Sequence, residues 1–522
     1  MRRFETNSTL AIALTILTIA GLLPLYIGLD RTPLPWADEV EFASTAISVR
    51  NGNPAIPSVL SGFPQTGRFD LFYGPVGIRL GATWMTLFGV NMWSWRSLSF
   101  AGGILVIVFS ALLAYSLGAR SPVPAAAACL VAFTIALGGR INSGRLDTIT
   151  VALELMALTL LVVSLTSRGW RRCLVSVLAG GCVAAAALST PRALPFCVGL
   201  FVGALVLLFR RKDLLGAFLP AVVLAVSAFQ IWIHSQGWGI LTWVRFMANT
   251  VHGNEGDISP VMGGSWGARE AFFLPELAAP LLFAVVLGCV LCLLMLRRHQ
   301  DGRVITVSLE LLFVLIAGFV NMLLSFVLLS RALNYEIFFI VPVLVGLLVV
   351  SERLIFVNRS LPVRLIVVAW LLFGLFGTTV RAAKILDLYW RWSDRDPRPI
   401  VAFIREHVPP DSIVLGLDPC YFWAIQDSGS LYLFTAEVTS PGLASGLSFE
   451  AQRLFSTEAA NKRRVYVVWK RGSRPPILVS GSTLVRVGGF EGRARQGVFS
   501  NLSSRVVAAY PQTDLYQLEI PE

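Results

Sequence analysis

Charged residues are scarce in this chain. Of its 522 residues, 14% are charged and 55% are hydrophobic, whereas soluble globular proteins carry roughly 25% charged residues. A deficit of this size over so long a chain excludes an ordinary soluble fold and predicts many membrane-spanning segments. The usual expectation of about one domain per 150 residues therefore does not apply.

Cysteine is also sparse, and its positions exclude a disulfide framework near the C-terminus. The chain has seven cysteines, of which Cys420 alone lies away from the apolar runs. Cys289 and Cys292 form a C-x-x-C pair inside an apolar run, where small buried cysteines of a membrane helix are commoner than a redox or metal site. The C-terminal part has no nucleotide fingerprint, because Gly488-Gly489 lacks the G-x-G-x-x-G pattern between a strand and a helix.

The charge that is present is mostly basic, with a formal net charge of +12. In a soluble protein this excess would favour nucleic-acid binding. Here the basic residues form short clusters between apolar runs, as topology signals of membrane proteins do. We therefore expect membrane lipids as partners and no nucleic acid.

Apolar runs near the length that crosses a bilayer, about 20 residues, recur along the first 380 residues. They predict about eleven transmembrane helices. The runs are Leu10–Leu29, Leu98–Leu117, Pro122–Gly138, Thr148–Leu165, Leu174–Leu188, Ala193–Phe209, Leu214–Ile233, Leu277–Leu296, Val304–Leu329, Ile337–Val350 and Val363–Val380.

Basic residues in alternate connections predict the orientation of these helices, because cytoplasmic loops are enriched in lysine and arginine. With the N-terminus inside, the inside connections hold nearly all of the basic clusters. These are Arg2-Arg3, Arg120, Arg168/Arg171/Arg172, Arg210-Arg211-Lys212, Arg297-Arg298/Arg303 and Arg353/Arg359/Arg364. The alternation sends the chain to the outside after the last helix.

Two domains follow from this pattern. Residues 1–380 are predicted to form an all-α polytopic membrane domain with a long first external loop, 30–97, in which Val76–Phe88 suits a helix at the membrane interface. Residues 381–522 are predicted to form an extracytoplasmic soluble domain of α/β or α+β class. Its predicted elements are a helix over Pro399–His407 and strands over Ile413–Leu417, Val465–Trp469, Thr483–Val487, Arg505–Ala509 and Leu515–Ile520.

Polar groups at the rim of membrane helices are costly and indicate function. In the predicted topology, the external ends of the helices carry acidic, basic and aromatic polar residues that one cavity could collect. These are Asp38 and Glu39 after the first helix, Arg145 and Asp147 before the fourth, Arg192 between the fifth and sixth, and Arg331 and Tyr335 between the ninth and tenth. His252 lies on another external segment, 234–275.

Each of these residues also has a structural interpretation. The acidic pair could be a solvated loop, and Asp147 could complement a helix dipole. Arg192 and Arg331 could anchor helix ends at the lipid headgroups. In the functional interpretation, a carboxylate acts as general base or holds a divalent cation, and arginines bind a phosphate through forked hydrogen bonds.

Four stretches, in order, resemble one family. They are Ala37–Ala43 (ADEVEFA), Tyr73–Ile78 (YGPVGI) followed by Leu87-Phe88-Gly89-Val90 and Arg96, Gly144–Asp147 (GRLD), and Ser330–Tyr335 (SRALNY) with Pro342. The pattern resembles the GT-C superfamily of integral-membrane glycosyltransferases, and most closely the branch with protein O-mannosyltransferases and the lipid A aminoarabinose transferase. The chain departs from that pattern at Tyr73, where a basic residue is usual, and at Pro191-Arg192, where a lysine is expected.

The resemblance implies a GT-C fold and transfer of a sugar from a polyprenyl-phosphate donor to a glycolipid, glycan or protein acceptor at the outer face of the plasma membrane. It implies that the enzyme is a hexosyl- or pentosyltransferase. Asp38, Glu39 and Asp147 would be catalytic. Arg145, Arg192, Arg331, His252 and Tyr335 would bind substrate or phosphate. Whether Asp38 acts directly on a hydroxyl or holds a divalent cation stays open at this point.

Two other classes remain as alternatives. A lipid or polysaccharide transporter or flippase would place polar groups near the bilayer midplane, often in repeated halves. A non-catalytic envelope-assembly protein would depend on the C-terminal domain instead of the acidic residues.

Overall fold

The computed structural model describes residues 2–31, 35, 37–55, 73–120, 122–137, 141, 144–245, 308–328, 337–357, 393, 396–416, 419–434, 464–471, 483–492, 510 and 512–519. Up to residue 357 the described chain is almost entirely helical. The helices are α1 (Arg2–Ile27), α2 (Ala37–Arg50), α3 (Pro75–Phe88), α4 (Met92–Ser116), α5 (Val123–Leu137), α6 (Asp147–Thr166), α7 (Gly169–Ala187), α8 (Leu194–Arg210), α9 (Leu215–Ser235), α10 (Leu309–Leu328) and α11 (Ile337–Val357).

Six helices of the described chain, α1, α4 and α6 to α9, are long and apolar enough to cross a membrane. The described parts of α5 and α10 are apolar but shorter. The prediction of a polytopic helical protein is therefore confirmed. The predicted total of about eleven spans stays a prediction, because the runs 277–296 and 363–380 lie outside the described residues.

Local sequence signals account for several helix starts. Asn91 precedes α4, and its side-chain oxygen accepts a hydrogen bond from the Ser94 amide at 2.8 Å, which satisfies one of the donors that a helix start leaves free. Asp147 opens α6, where a carboxylate complements the positive end of the helix dipole. A short 3₁₀ turn, Pro191–Ala193, leads into α8 and places Arg192 two residues before the helix begins.

The helices pack closely through small residues, as membrane helices commonly do. On α7, a Cβ added to Gly180 would lie 2.6 Å from the Ala221 carbonyl oxygen of α9. One turn earlier, the Ser176 hydroxyl accepts a hydrogen bond from the Ala221 amide at 3.1 Å. On α8, a Cβ at Gly199 would lie 2.4 Å from the Ala317 carbonyl oxygen of α10. Helix α6 is the most enclosed candidate span, with 78% of its apolar window buried.

The two ends of the helix bundle differ in charge. The basic residues at one end lie in or directly beside the connections that follow α4, α6 and α8. They are Arg120, Arg168, Arg171, Arg172, Arg210, Arg211 and Lys212. Arg172 donates to the Asp213 carbonyl oxygen at 3.0 Å, so the connections after α6 and α8 adjoin. Helices α2, α4, α6 and α8 begin at the opposite end, and this end carries the predicted site residues.

The described C-terminal part contains a five-stranded mixed sheet. Its elements are α12 (Arg398–His407), β1 (Ile413–Gly416), α13 (Phe422–Asp427), β2 (Leu431–Phe434), β3 (Val465–Lys470), β4 (Thr483–Phe490) and β5 (Thr513–Glu519). The strand order is β2-β1-β3-β5-β4, with β1 parallel to β2 and β3, and β5 antiparallel to β3 and β4. The prediction of a C-terminal sheet domain is confirmed.

Alternate residues of the strands enter two apolar clusters, because successive side chains of a strand point to opposite faces. Val465 and Val467 pack with Ile413 on one face. Tyr466 and Val468 face a larger cluster that also includes residues of α2, α3, α12 and α13. The sheet therefore packs toward the same end of the helix bundle that carries the predicted site residues.

The sequence did not predict α2 or β2, and the predicted strand 505–509 lies outside the described residues. Helix α2 has no clear apolar stripe because it is buried on most of its sides. Strand β2 is four residues long and pairs with β1 in parallel, an arrangement that depends on the crossover through α13.

The approach of α7 to α9 gives a stability test. We expect Gly180→Ala to lower the free energy of unfolding by about 1–3 kcal/mol, because the added methyl group meets backbone rather than a movable side chain. Its neighbour Gly181 is the matched control, since the nearest atom to an added Cβ is Leu224 Cδ2 at 4.0 Å. Gly181→Ala should be neutral or stabilising by up to about 1 kcal/mol, because alanine favours helix. Melting temperatures in detergent measure the difference, and equal shifts for the two variants would contradict the packing.

Candidate functional site

The acidic pair lies in the first turn of α2, where negative side chains interact favourably with the helix dipole. Successive helical residues point in directions about 100° apart at 3.6 residues per turn, so the two carboxylates enter different surroundings. The Asp38 side chain is 31% exposed, whereas Glu39 is fully buried. Asp38 is therefore the member of the pair that a substrate can reach.

Glu39 forms a buried, two-pronged ion pair with Arg96 of α4. Arg96 Nε donates to Glu39 Oε1 and Arg96 Nη2 to Oε2, both at 2.8 Å. Both side chains have no exposed surface. The third nitrogen, Nη1, donates to the Leu29 carbonyl oxygen at 2.9 Å. One guanidinium thus joins the end of α1, the start of α2 and the start of α4.

Burial and this partner act on Glu39 in opposite directions. Burial raises the pKa of the Glu39 carboxyl above its ordinary value, while the charge and hydrogen bonds of Arg96 and a hydrogen bond from Trp423 lower it. Trp423 Nε1 donates to Glu39 Oε1 at 3.4 Å and comes from α13 of the C-terminal domain. The carboxylate is therefore surrounded by donors from two parts of the chain that lie far apart in sequence.

The turn before α6 approaches Glu39 through a glycine. Gly144 has φ of 68°, a left-handed conformation that residues with a Cβ adopt at a cost. A Cβ there would lie 2.7 Å from Glu39 Cγ and 2.8 Å from Trp95 Nε1. The absence of a side chain at Gly144 therefore lets the next residue, Arg145, reach the acidic pair.

Arg145 contacts two carboxylates. Its Nη1 donates to Asp38 Oδ2 at 2.8 Å, and its Nε lies 2.7 Å from Asp147 Oδ2. Arg145 and Asp147 are 2% and 5% exposed. The Ser99 hydroxyl donates to the Arg145 carbonyl oxygen at 2.8 Å and so ties this segment to α4. Asp38 is the most exposed member of this group.

Arg192 adds a second positive charge beside Asp147. Its Nη1 lies 3.8 Å from Asp147 Oδ1, and its side chain is 14% exposed. The guanidinium carbon lies 5.6 Å from the ring centroid of Tyr73, within the range of a cation–π interaction. The Tyr73 ring packs edge to face against Phe42 of α2, with centroids 4.5 Å apart. Burial raises the pKa of the Tyr73 hydroxyl, so this residue stays neutral at physiological pH.

The predicted site residues therefore divide into three groups. Asp38, Arg145, Asp147 and Arg192 form one chain of charges at the end of the bundle opposite the basic connections, and we call it the rim cluster. Glu39 is adjacent but buried. His252, Arg331 and Tyr335 lie outside the described residues.

A site for a divalent cation needs several oxygen ligands that converge on one point. No group of three or more His, Cys, Asp or Glu side chains among the described residues is placed to hold a metal ion. Arg145 contacts both Asp38 and Asp147, so an arginine neutralises these two carboxylates where a divalent cation would otherwise be expected. The rim cluster as described does not have the donor set of a cation site.

Three further residues belong to this region without having been predicted as site residues: Arg96, Tyr73 and Trp423. Arg96 and Tyr73 lie in the second motif stretch. An arginine near the start of an apolar helix, such as Arg96, indicates a buried acidic or polar partner. Trp423 had no such signal, because 384 positions separate it from Glu39 in sequence.

Removing Arg96 should make stability depend strongly on pH. Arg96→Met removes the charge and hydrogen bonds of the arginine, which lower the pKa of the Glu39 carboxyl. The effect of burial then dominates, the pKa rises further, and the folded protein holds the proton more tightly than the unfolded chain. The free energy of unfolding should then fall as pH rises above the ordinary value of 4.5. At neutral pH we expect a loss of about 3–5 kcal/mol.

Melting temperatures of Arg96→Met at about pH 5 and about pH 8 check this sign. The double variant Glu39→Gln/Arg96→Met lacks the buried carboxyl and should lose the additional pH dependence. A melting temperature of Arg96→Met that rose with pH would contradict the arrangement.

Comparison with known proteins finds similar solved structures, all at low sequence identity. No family model and no curated protein matches it. It is similar to the archaeal oligosaccharyltransferase AglB from Archaeoglobus fulgidus, solved with an inhibitory peptide and a dolichol-phosphate, at 14% identity and TM-score 0.47 over 87% of this chain and 69% of that one.

It is also similar to ArnT from Cupriavidus metallidurans. The apo structure is 15% identical, with TM-score 0.44 over 97% of this chain and 98% of that one. The structure bound to undecaprenyl phosphate is 14% identical, with TM-score 0.43 over 96% and 97%. Because the similarity is this low, the roles of the site residues rest on the geometry of this chain alone.

Proposed function

We propose that the protein is a membrane glycosyltransferase that transfers a sugar from a polyprenyl-phosphate donor to a hydroxyl of a lipid, glycan or protein acceptor. The observation that carries the proposal is the rim cluster. A reachable carboxylate, Asp38, lies beside two arginines at one end of a bundle of apolar helices. A general base next to an anion-binding group is what such a transfer needs.

Asp38 is proposed as the general base. It is the most exposed carboxylate of the rim cluster, and its Oδ2 is held by Arg145. This contact orients the carboxylate and leaves part of its surface open to an acceptor hydroxyl. Asp147 is more enclosed and lies between Arg145 and Arg192, so its proposed role is to hold these two arginines in place.

Arg192 is proposed as the main contact of the donor phosphate. It is more exposed than Arg145, and its ion pair with Asp147 is long, at 3.8 Å. A guanidinium can bind a phosphate through two parallel, charge-assisted hydrogen bonds. The Tyr73 ring lies beside the Arg192 guanidinium and helps to hold it in position. Tyr73 itself stands where the family pattern has a basic residue.

In the proposed step, the acceptor hydroxyl oxygen attacks the anomeric carbon of the donor sugar. The hydroxyl proton passes to a carboxylate oxygen of Asp38. The bond between the anomeric carbon and the phosphate oxygen breaks, and the polyprenyl phosphate leaves with the electron pair as an anion that Arg192 and Arg145 stabilise. The lipid tail can stay in the membrane because the site lies at the helix ends.

Glu39 takes a different proposed role from Asp38. Because both of its oxygens accept from Arg96 and the side chain has no exposed surface, we assign it to positioning and not to contact with substrate. The proposed location of the site is the extracytoplasmic face of the plasma membrane, since the basic connections lie at the other end of the bundle and favour the cytoplasmic side. The proposed donor belongs to the same chemical class as the dolichol-phosphate and undecaprenyl phosphate in the AglB and ArnT structures.

The role of Asp38 can be tested without knowing the sugar. Mass spectrometry of envelope glycolipids, glycans and glycoproteins from cells with and without the gene should reveal a missing mass of one sugar. In cells that carry Asp38→Asn instead, we expect that product to fall by about 10²–10⁴-fold, because the base is lost.

The matched control is Asp213→Asn, which removes an exposed aspartate that is also paired with an arginine but lies at the opposite end of the bundle. It should restore the product fully. Wild-type product levels in Asp38→Asn, with equal expression, would refute the assigned role.

The phosphate contact has a direct binding test. Polyprenyl phosphate is titrated into purified protein and binding is followed by native mass spectrometry. We expect Arg192→Ala to weaken binding by about 10–100-fold, because a charge-assisted hydrogen bond contributes about 1.5–3 kcal/mol.

Two control variants separate this role from general effects. Tyr73→Phe keeps the aromatic ring beside Arg192 and should retain the affinity. Arg211→Ala removes an exposed arginine at the opposite end and should also leave binding unchanged. Unchanged binding in Arg192→Ala would place the phosphate elsewhere.

A further inference from the structure

The C-terminal domain reaches the acidic pair through one side chain. Trp423 lies in α13, which together with a short 3₁₀ turn connects β1 to β2. It is 6% exposed, and its ring packs against that of Phe422 with centroids 5.0 Å apart. Its indole N–H points at Glu39 Oε1 across 3.4 Å. A tryptophan of the sheet domain thus takes part in the hydrogen bonding of a carboxylate at the start of α2.

The contact from Trp423 is made to a carboxylate that needs hydrogen-bond donors. A fully buried carboxylate has lost its hydration and needs protein donors in its place. Arg96 supplies one donor to each oxygen of Glu39, and Trp423 supplies a further donor to Oε1. Among the described residues, Glu39 is the acceptor toward which the indole N–H is directed, and an indole N–H can only donate.

A second contact joins the same two parts of the molecule. Arg31, just past α1, lies 3.6 Å from Asp396, just before α12, and both side chains are mostly buried. Hydrogen bonds from Arg398, together with the charges of Arg31 and Arg398, hold the pKa of Asp396 below its ordinary value, so this residue is ionised at neutral pH. The connection between α1 and α2 is therefore held by the C-terminal domain near both of its ends.

An apolar cluster surrounds these polar contacts. It includes Val40 and Phe42 of α2 together with Tyr421, Phe422 and Ile425 of the C-terminal domain. The first turn of α2, which carries Asp38, is therefore packed between the helix bundle and the sheet domain. A change in how the domain sits would move Glu39, and through it the neighbouring Asp38.

We infer that the C-terminal domain is part of the catalytic site and that Trp423 is a positioning residue, which holds Glu39 and thereby orients Asp38. The inference rests on the proposed function for its effect on turnover. Its structural half, the coupling of Trp423 to α2, does not depend on the substrate.

The test compares two tryptophans of the same domain. Trp423→Phe keeps a buried ring and removes the N–H donor. Trp469→Phe makes the same exchange on β3, on the other face of the sheet, where Nε1 has no hydrogen-bond partner among the described residues. Amide hydrogen exchange of α2, Ala37–Arg50, is measured on the full-length protein in detergent.

We expect Trp423→Phe to speed exchange in the first turns of α2 by about fivefold, as loss of one hydrogen bond of about 1 kcal/mol implies. Exchange in β1 and β3 should stay unchanged, and Trp469→Phe should leave α2 unchanged. In the transfer reaction, Trp423→Phe should lower kcat by a similar factor and leave the KM for the donor unaltered. An α2 that exchanges at the wild-type rate in Trp423→Phe overturns the inference.

A double variant shows whether Trp423 acts through Glu39. If it does, Trp423→Phe should have a smaller effect in a Glu39→Gln background than in the wild type, because the charged acceptor is gone. If the fold-changes of Trp423→Phe and Glu39→Gln multiply in the double variant, Trp423 does not act through Glu39 and the inference is overturned. This comparison remains valid if Trp423→Phe lowers the overall stability. If Trp423→Phe speeds exchange in α2 but the protein has no transferase activity, the coupling of Trp423 to α2 is supported and the proposed function is rejected. Failure of the inference and failure of the proposed function therefore give different results.

Discussion

The buried ion pair between Glu39 and Arg96 is the interaction on which the described site depends. Taking two charges out of water is expensive, and their attraction offsets that cost only when the geometry is good and further donors and acceptors are satisfied. Here both carboxylate oxygens are bonded, and the remaining guanidinium nitrogen bonds to the carbonyl of Leu29. The pair therefore specifies one arrangement of α1, α2 and α4, and this arrangement sets where Asp38 lies.

The rim cluster depends on that arrangement, most directly at the residues next to the buried pair. Asp38 lies in the same helical turn as Glu39. Because Gly144 has no side chain, its backbone packs against Glu39, and the next residue, Arg145, contacts Asp38. From Arg145 the charges continue through Asp147 to Arg192, and exposure is greatest at Asp38. The buried pair thus gives rigidity, and the more exposed charges beside it remain available for chemistry.

Much of the helical part could be predicted from sequence. A segment that crosses a membrane must form its backbone hydrogen bonds internally, as a helix does, and its side chains are apolar over about 20 residues. Short connections between antiparallel helices also placed Asp38, Asp147 and Arg192 at one end. Helix α2 could not be found in this way, since burial on most sides removes the amphipathic pattern. Strand β2 was missed because a parallel pairing with β1 is not visible in four residues.

The sequence by itself determined that the chain is a polytopic membrane protein with a C-terminal sheet domain, and that acidic and basic residues gather at one end of its helices. These properties follow from local composition and from the alternation of loops. Only the tertiary structure decided that Asp38 is exposed while Glu39 is buried, that Arg145 joins Asp38 to Asp147, and that Trp423 reaches Glu39. Burial and pairing are properties of contacts between distant segments, and no local pattern of residues encodes them.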